Sequence, residues 1–295
     1  MPQQSIGLIG TGIMGEPMGR NLLKAGHPLI VHTRTRARAT RLLEAGAAWA
    51  DSPAALAAQV EVVISIVPDS PDVERVYLGE DGVCRTLQRG RLVIDMSTVS
   101  PLTAQRVAEE VGRRGSMFLD APVSGGKTGA EGGTLSIMVG GEPAALERAR
   151  RLFAVLGRRI VHCGPVGHGQ LTKLCNQVIC GLNLLAVGEA LVFAKRCGLD
   201  PQKMLEAVSA GAAGSWAVDN LGTRMQARDF APMFMIDLQQ KDLRLALDAA
   251  RDQRVPLPGT ALVHQLLAAN QAAGEGRDGT QALLKTLERL AHFET

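Results

Sequence analysis

A short apolar run, Ile6–Ile9, ends abruptly in Gly10-Thr11-Gly12-Ile13-Met14-Gly15, and a helical pattern then runs to about Ala25. Few features restrict a fold more than this one. A strand, a tight glycine turn and a helix in that order form the first unit of a doubly wound α/β sheet. Gly10 permits the turn, Gly12 lets the backbone approach a pyrophosphate, and Gly15 lets helix and strand pack closely. Ile13 and Met14 lie between them, where free N–H groups at the helix start face an anion. A lone Gly-x-Gly-x-x-Gly is weak, and a ligand-free βα turn would use the same residues. The strand before it and the helix after it are the context in which it binds a dinucleotide.

The second strand is Leu29–His32. Where NAD-binding folds place an Asp or Glu for the ribose hydroxyls, this chain has Thr33 and Arg34, followed by Arg36 and Arg38. A guanidinium pairs with a 2′-phosphate that a carboxylate would repel. NADP is therefore preferred over NAD, with Arg34 as the main contact. The bland alternative is that these arginines begin a solvated helix. Val60–Val67 and Leu92–Met96 are near-continuous apolar runs, as in parallel strands covered on both faces. Ligands of such sheets lie beyond the carboxyl ends of the strands, which makes Val67, Pro68, Ser97 and Thr98 cofactor-lining candidates by position. Phe118–Gly126, Leu135–Gly141 and Ile160–His162 read as further strands extending the sheet, some of them antiparallel. In the first, Ser124-Gly125-Gly126 can turn successive N–H groups and a hydroxyl toward a substrate carboxylate, or it can be an ordinary turn.

The chain changes character between Gly164 and Gly198, where loop glycines give way to a long proline-free run that predicts a helix joining two domains. Near its start, Lys173 and Asn176 are three apart and share one face. An ammonium and an amide so placed can donate a proton and orient a substrate oxygen; taken alone, Lys-x-x-Asn is more often a solvated edge. The apolar portion Val178–Ala194 is slightly short of a membrane span and carries Asn183 and Glu189, which favours a buried core helix. Beyond Gly198, helical spacing recurs near 201–210, 215–226, 235–252, 258–273 and 279–292. Lys241, beside Asp242, sits in one of these patterns and would by itself read as solvated. The expected organisation is a sheet domain over 1–164 and an all-α domain over 165–295.

Composition excludes several classes. A formal charge of +3, scattered arginines and 3% aromatics give neither the basic stripe nor the stacking surface that nucleic acid requires. The five cysteines form no C-x-x-C pair, which suits reduced, mostly buried thiols in a cytoplasmic protein. The six histidines form no ligand motif, so no metal is expected. Strand-like sequence from Ile6 leaves no room for a signal peptide, and no membrane association is expected.

Four segments together resemble the β-hydroxyacid dehydrogenases over nearly the whole chain: GLIGTGIMGEPMGRNLLKAG, DAPVSGGKTGAEGGTLSIMVGG, GHGQLTKLCNQ and FMIDLQQKDLRLAL. The resemblance implies a Rossmann-type sheet domain, a long interdomain helix, and an all-α domain that completes the cleft and supports a homodimer or homotetramer. It gives catalysis to Lys173 with Asn176 beside it, the substrate carboxylate to Ser124, Gly125 and Gly126, and a cofactor contact to Lys241. Ser97 or Thr98 falls on its nicotinamide side. The implied reaction is hydride transfer between NADP or NAD and a small carboxylate-bearing aldehyde or hydroxy acid. Within the family, LDAPVSGG, AAGSW and IDLQQKDL point to reduction of tartronate semialdehyde to D-glycerate. 3-Hydroxyisobutyrate, glyoxylate and succinic semialdehyde remain alternatives, and Trp216 occupies a position that varies with substrate. Lys173 argues against imine reduction. A dinucleotide-binding sensor without catalysis is the non-enzymatic alternative, which the retained Lys173, Asn176 and Ser-Gly-Gly turn disfavour.

Overall fold

The structure, a computed structural model, describes residues 4–293. It divides into two compact units, Met1–Lys173 and Leu174–Thr295. The first is an α/β sheet unit. Its elements in order are β1 (Ile6–Ile9), α1 (Gly15–Lys24), β2 (Leu29–His32), α2 (Thr40–Glu44), β3 (Ala48–Trp49), α3 (Pro53–Ala57), β4 (Val62–Ser65), α4 (Ser70–Leu78), β5 (Leu92–Asp95) and α5 (Pro101–Arg113). They continue with β6 (Met117–Asp120), β7 (Val123–Ser124), α6 (Gly126–Gly132), β8 (Leu135–Gly141), α7 (Pro143–Leu156) and β9 (Gly157–Gly164).

The strands order as β3-β2-β1-β4-β5-β6-β8-β7, with β9 also paired to β8. Pairing from β3 through β6 is parallel. It becomes antiparallel where β8 meets β6 and β7. Strands β1, β4 and β5 are buried along their whole length because helices cover both faces. On one side Leu8, Ile64, Met18, Leu22 and Phe153 share a core; on the other, Val63, Val93, Tyr77 and Val107 do. Several helices begin with a capped turn carrying proline, whose missing N–H costs nothing there. Ser52 Oγ accepts from Ala55 N (3.0 Å) ahead of Pro53, and Ser100 Oγ accepts from Leu102 N (3.3 Å) ahead of Pro101.

The helical unit consists of most of α8 (His168–Arg196), then α9 (Pro201–Ser209), α10 (Thr223–Gln226), α11 (Ile236–Asp252), α12 (Pro258–Ala272) and α13 (Leu283–Leu290). Its core joins Leu184, Leu191, Leu205, Leu243, Val263, Leu267 and Leu287. By length and composition α8 alone among the described residues could cross a bilayer, yet one of its faces is buried in this core. Its other face exposes Ile179, Leu182 and Phe193, so the helix is one-sided and not buried all round. An ion group around buried Glu288 staples the unit: Glu288 accepts from Lys195 Nζ (2.8 Å) and Arg228 Nη1 (3.0 Å).

Four details depart from the sequence reading. The run 118–126 is not one strand. It stops at Asp120, resumes for two residues at Val123–Ser124, and turns into α6 at Gly126. Proline at 122 has no N–H for a ladder, and two left-handed glycines follow. Strand β3, only two residues long, left no periodicity to read. The helix near 215–226 opens as a π segment, Ala217–Gly222, where Gly222 lies too close to Leu205 for a Cβ (2.8 Å). The thiols are not mostly buried: Cys84 is, but Cys175, Cys180 and Cys197 are exposed, the first two on the outer face of α8.

Candidate active site

The glycine turn after β1 has three unlike positions. Gly10 has φ +97, and a Cβ there would lie 2.2 Å from Ile66 O. A Cβ at Gly15 would lie 1.9 Å from Gly10 O, so the first turn of α1 presses on the loop. Around Gly12, by contrast, a Cβ would meet nothing within 4 Å. Protein packing thus requires glycine at 10 and 15, whereas at 12 it leaves open space, as a ligand-contacting position needs. Beside it the Thr11 hydroxyl is buried without a hydrogen-bond partner. Ile13 is exposed and Met14 half-buried at the start of α1. These features fit a dinucleotide pyrophosphate at a helix N-terminus.

At the end of β2, Thr33 is half-buried and the Arg34 side chain is 70% exposed, with Nη1 3.4 Å from Asp72 Oδ1. Asp72 also takes Arg75 Nη1 at 3.2 Å, so Arg34 is lightly held. Arg36 lies over the Trp49 ring, 5.4 Å from its centroid.

The next strand ends are tied by a buried polar network. Ser65 Oγ and Ser97 Oγ both donate to Asp95 Oδ1, at 2.6 and 2.7 Å. The Tyr77 hydroxyl lies 2.6 Å from Ser65 Oγ and, since Ser65 spends its proton on Asp95, donates to it. Burial first, then the Asp95 charge, pushes the Tyr77 phenol well above its usual range, which keeps it a donor. Ser97 Oγ in turn accepts from Val67 N (2.9 Å). This separates two residues that sequence position treated alike. Ser97 is buried with its hydroxyl spent on holding the two loops together, whereas Thr98 is half-buried. Val67 is half-buried and Pro68 is exposed.

Ser124, Gly125 and Gly126 lie where β7 passes into α6. Gly125 (φ +133) and Gly126 (φ +59) are both in backbone regions that side chains disfavour. Ser124 is half-buried, and a Cβ on Gly126 would meet nothing within 4 Å. The turn therefore has the open, N–H-bearing form that an anion requires.

Lys173 closes the sheet unit and is only 7% exposed, so the solvated-edge reading of the Lys-x-x-Asn pair does not hold. Along the same helix, half-buried Asn176 donates to Gln177 Oε1 (2.8 Å). Within the helical unit Gln177 Nε2 donates to Asp242 Oδ2 (2.6 Å), and Asp242 Oδ1 takes Lys241 Nζ (2.7 Å). Asn176 and Lys241 thus belong to one polar chain, and the Lys241 side chain is 14% exposed. Gln177 and Asp242 were missed from sequence. The available signal was polar residues at positions that helical spacing assigns to a buried face, since both are almost fully buried. Among the described residues no group of three or more His, Cys, Asp or Glu could hold a metal ion.

Two family models match in tandem. Residues 5–164 match the NAD binding domain of 6-phosphogluconate dehydrogenase, and residues 167–287 match the NAD-binding domain of NADP-dependent 3-hydroxyisobutyrate dehydrogenase. The 2-hydroxy-3-oxopropionate reductase of Escherichia coli (strain K12) is 42% identical over 289 residues, 98% of this chain and 99% of that one. The chain belongs to the β-hydroxyacid dehydrogenase family. Two solved structures of similar shape agree. A Mycobacterium tuberculosis 3-hydroxyisobutyrate dehydrogenase with L-serine has TM-score 0.89 and 33% identity, covering 97% of this chain and 99% of that one. Psf3 in complex with NADP+ and 2-OPP has TM-score 0.87 and 28% identity, covering 96% and 99%. As a β-hydroxyacid dehydrogenase the chain is an oxidoreductase that uses a nicotinamide dinucleotide.

Proposed function

We propose that the chain reduces a small 3-oxo acid, tartronate semialdehyde, to the hydroxy acid D-glycerate with NADPH, and that Lys173 donates the proton. The observation that carries this reading is the burial of Lys173 on a helix whose first turn is bonded to the ends of β5 and β6. The E. coli relative's name supports the substrate, and Arg34, with no carboxylate at 33–35, supports the 2′-phosphate. The relative named for 3-hydroxyisobutyrate keeps that acid as the second reading.

A reduced nicotinamide, when bound, supplies hydride to the carbonyl carbon. The chain's part is to hold and neutralise. Gly10, Gly12, Ile13, Met14 and Gly15 would hold the pyrophosphate, and Thr33 and Arg34 the adenosine end. Val67, Pro68 and Thr98 would line the sheet edge, while Ser97 acts from behind them. Ser124, Gly125 and Gly126 seat the substrate carboxylate. As charge develops on the carbonyl oxygen, the Lys173 ammonium stabilises it and gives up its proton, worth about 10²–10⁴ in rate. Asn176 fixes the substrate's angle, and Lys241 contributes a ligand contact from the helical unit. Two anchors on a substrate of few carbons define a reactive geometry, so larger or uncharged aldehydes should react poorly. A homodimer or homotetramer completes the proposal, supported by the exposed Ile179 and Phe193 of α8.

The test is a panel of tartronate semialdehyde, methylmalonate semialdehyde, glyoxylate and succinic semialdehyde, each assayed with NADH and NADPH. Highest kcat/KM is expected for tartronate semialdehyde with NADPH. Lys173→Ala is expected to bind the dinucleotide normally and lose turnover by about 10²–10⁴. A different preferred acid overturns the substrate; wild-type turnover in Lys173→Ala overturns the proton donor.

A further inference from the structure

The helix that carries Lys173 does not start freely. Asp120, at the carboxyl end of β6, is fully buried, and its two oxygens receive different N–H groups. Oδ1 accepts from Gly167 N and Oδ2 from Gln170 N, both at 2.8 Å. Gln170, one turn before Lys173, is fully buried too. Its Oε1 accepts from Val99 N (3.0 Å) and its Nε2 donates to Ser97 O (2.8 Å). Four hydrogen bonds thus fasten the first turn of α8 to the ends of β5 and β6.

Two glycines make this possible. A Cβ at Gly140 on β8 would sit 2.4 Å from Asp120 Oδ1, and one at Gly169 would sit 2.6 Å from Asp120 O and 2.5 Å from Met138 O. Neither φ is unusual, so both glycines serve the close approach of a buried carboxylate to a helix start. An isolated cap needs no such clearance. A carboxylate there also meets the positive end of the helix dipole.

We infer that Asp120 and Gln170 are positioning residues for the reaction: acting through the first turn of α8, they set where the Lys173 amine stands. This rests on the reading of Lys173 as proton donor. A displacement of about 1 Å can cost about 10²-fold in rate, so a loosened clamp should appear in turnover while the distant dinucleotide loop is unaffected.

The clamp needs the charged form, since a protonated Asp120 offers an O–H to an N–H. Burial chiefly, against the backbone N–H bonds, pushes its carboxyl up to about 6. The charged group facing it is Asp95, its register partner on β5; β8 and α8 face it with Gly140, Gly169 and Gln170, which do not ionise. A raised carboxyl means the folded chain takes up this proton more readily than the unfolded one. Acidification through 6 therefore costs no stability from this group, and the loss falls on turnover.

The experiment measures kcat and KM from pH 5 to 8, dinucleotide Kd by fluorescence titration, and thermal midpoint. It compares wild type, Asp120→Asn, Gln170→Ala and Lys173→Ala. Asp120→Asn keeps the shape but turns an amide N–H₂ toward an N–H. Expected is a fall in kcat of about 10²-fold in the two clamp variants, with Kd within twofold of wild type in Asp120→Asn, since Gln170 also holds the 97–99 segment proposed to line the cofactor. An acid limb near pH 6 should be present in wild type and Gln170→Ala and absent in Asp120→Asn. If Asp120→Asn does not fold, the wild-type limb and Gln170→Ala decide. Wild-type kcat in the clamp variants, or in Asp120→Asn a Kd weakened in step with kcat, overturns the inference. With Lys173→Ala inactive, such a result leaves the proton donor standing; a fully active Lys173→Ala overturns both.

Discussion

Alanine at Gly12 and alanine at Gly15 should fail in opposite ways. At Gly12 the new methyl group meets no protein atom within 4 Å, and its φ is not in the left-handed region. Stability should change by less than about 0.5 kcal/mol, or improve slightly as the unfolded chain loses freedom. The same methyl occupies the space proposed for the pyrophosphate. Pushing the backbone away from one charge-assisted hydrogen bond forfeits about 1.5–3 kcal/mol, or about 10–10²-fold in Kd. At Gly15 the methyl would stand 1.9 Å from the Gly10 carbonyl, a backbone atom that cannot turn aside. Relief requires moving α1 from β1, at a cost of about 3 kcal/mol. Urea unfolding and dinucleotide titration on both variants test the pair. Gly12→Ala with wild-type affinity, or with a loss of stability equal to that of Gly15→Ala, would refute the division of labour.

Arg34→Ala removes a lightly held, mostly exposed side chain. It should leave stability unchanged, raise KM for NADPH by about 10–10²-fold, and leave KM for NADH nearly constant. Equal effects on both dinucleotides in steady-state assays would remove Arg34 from the 2′-phosphate. Glu288→Ala strands Lys195 and Arg228. The cost should lie at the lower end of the roughly 3–5 kcal/mol for breaking a buried pair, since both cations reach solvent, and urea unfolding reads it. Burial raises the Glu288 carboxyl, but its bonds to Lys195 and Arg228 outweigh that and leave it below the usual range. The stabilisation is therefore present at neutral pH and lost on acidification through the lowered value. A pH-independent difference between variant and wild type would contradict this.

Much of the architecture was legible because it follows local rules. Continuous apolar runs marked β4 and β5, and the glycine turn marked the start of α1. Asn176 could be paired with Lys173 because helical spacing is fixed. What was not legible depends on side-chain direction. Nothing in Ser97-Thr98 says which hydroxyl turns inward; Asp95, Ser65 and Tyr77 decide that from three other elements. Asp120 reads as one more polar residue in a strand-and-turn segment until Gly167 and Gln170 arrive far along the chain. The thiols of α8 illustrate the converse: their residue type predicts burial, but their place on the helix is outward.

The bond from Val67 N–H to Ser97 Oγ, together with that from Ser100 N to Ser70 Oγ (3.0 Å), links the loops after β4 and β5 at two points. Neither loop is a free cassette. Grafting one of them from a relative would import half of a lock whose other half stays behind, and a half-buried N–H would lose its acceptor. Engineers of altered specificity should transplant 65–70 and 95–100 as a single insert, with Tyr77 travelling alongside.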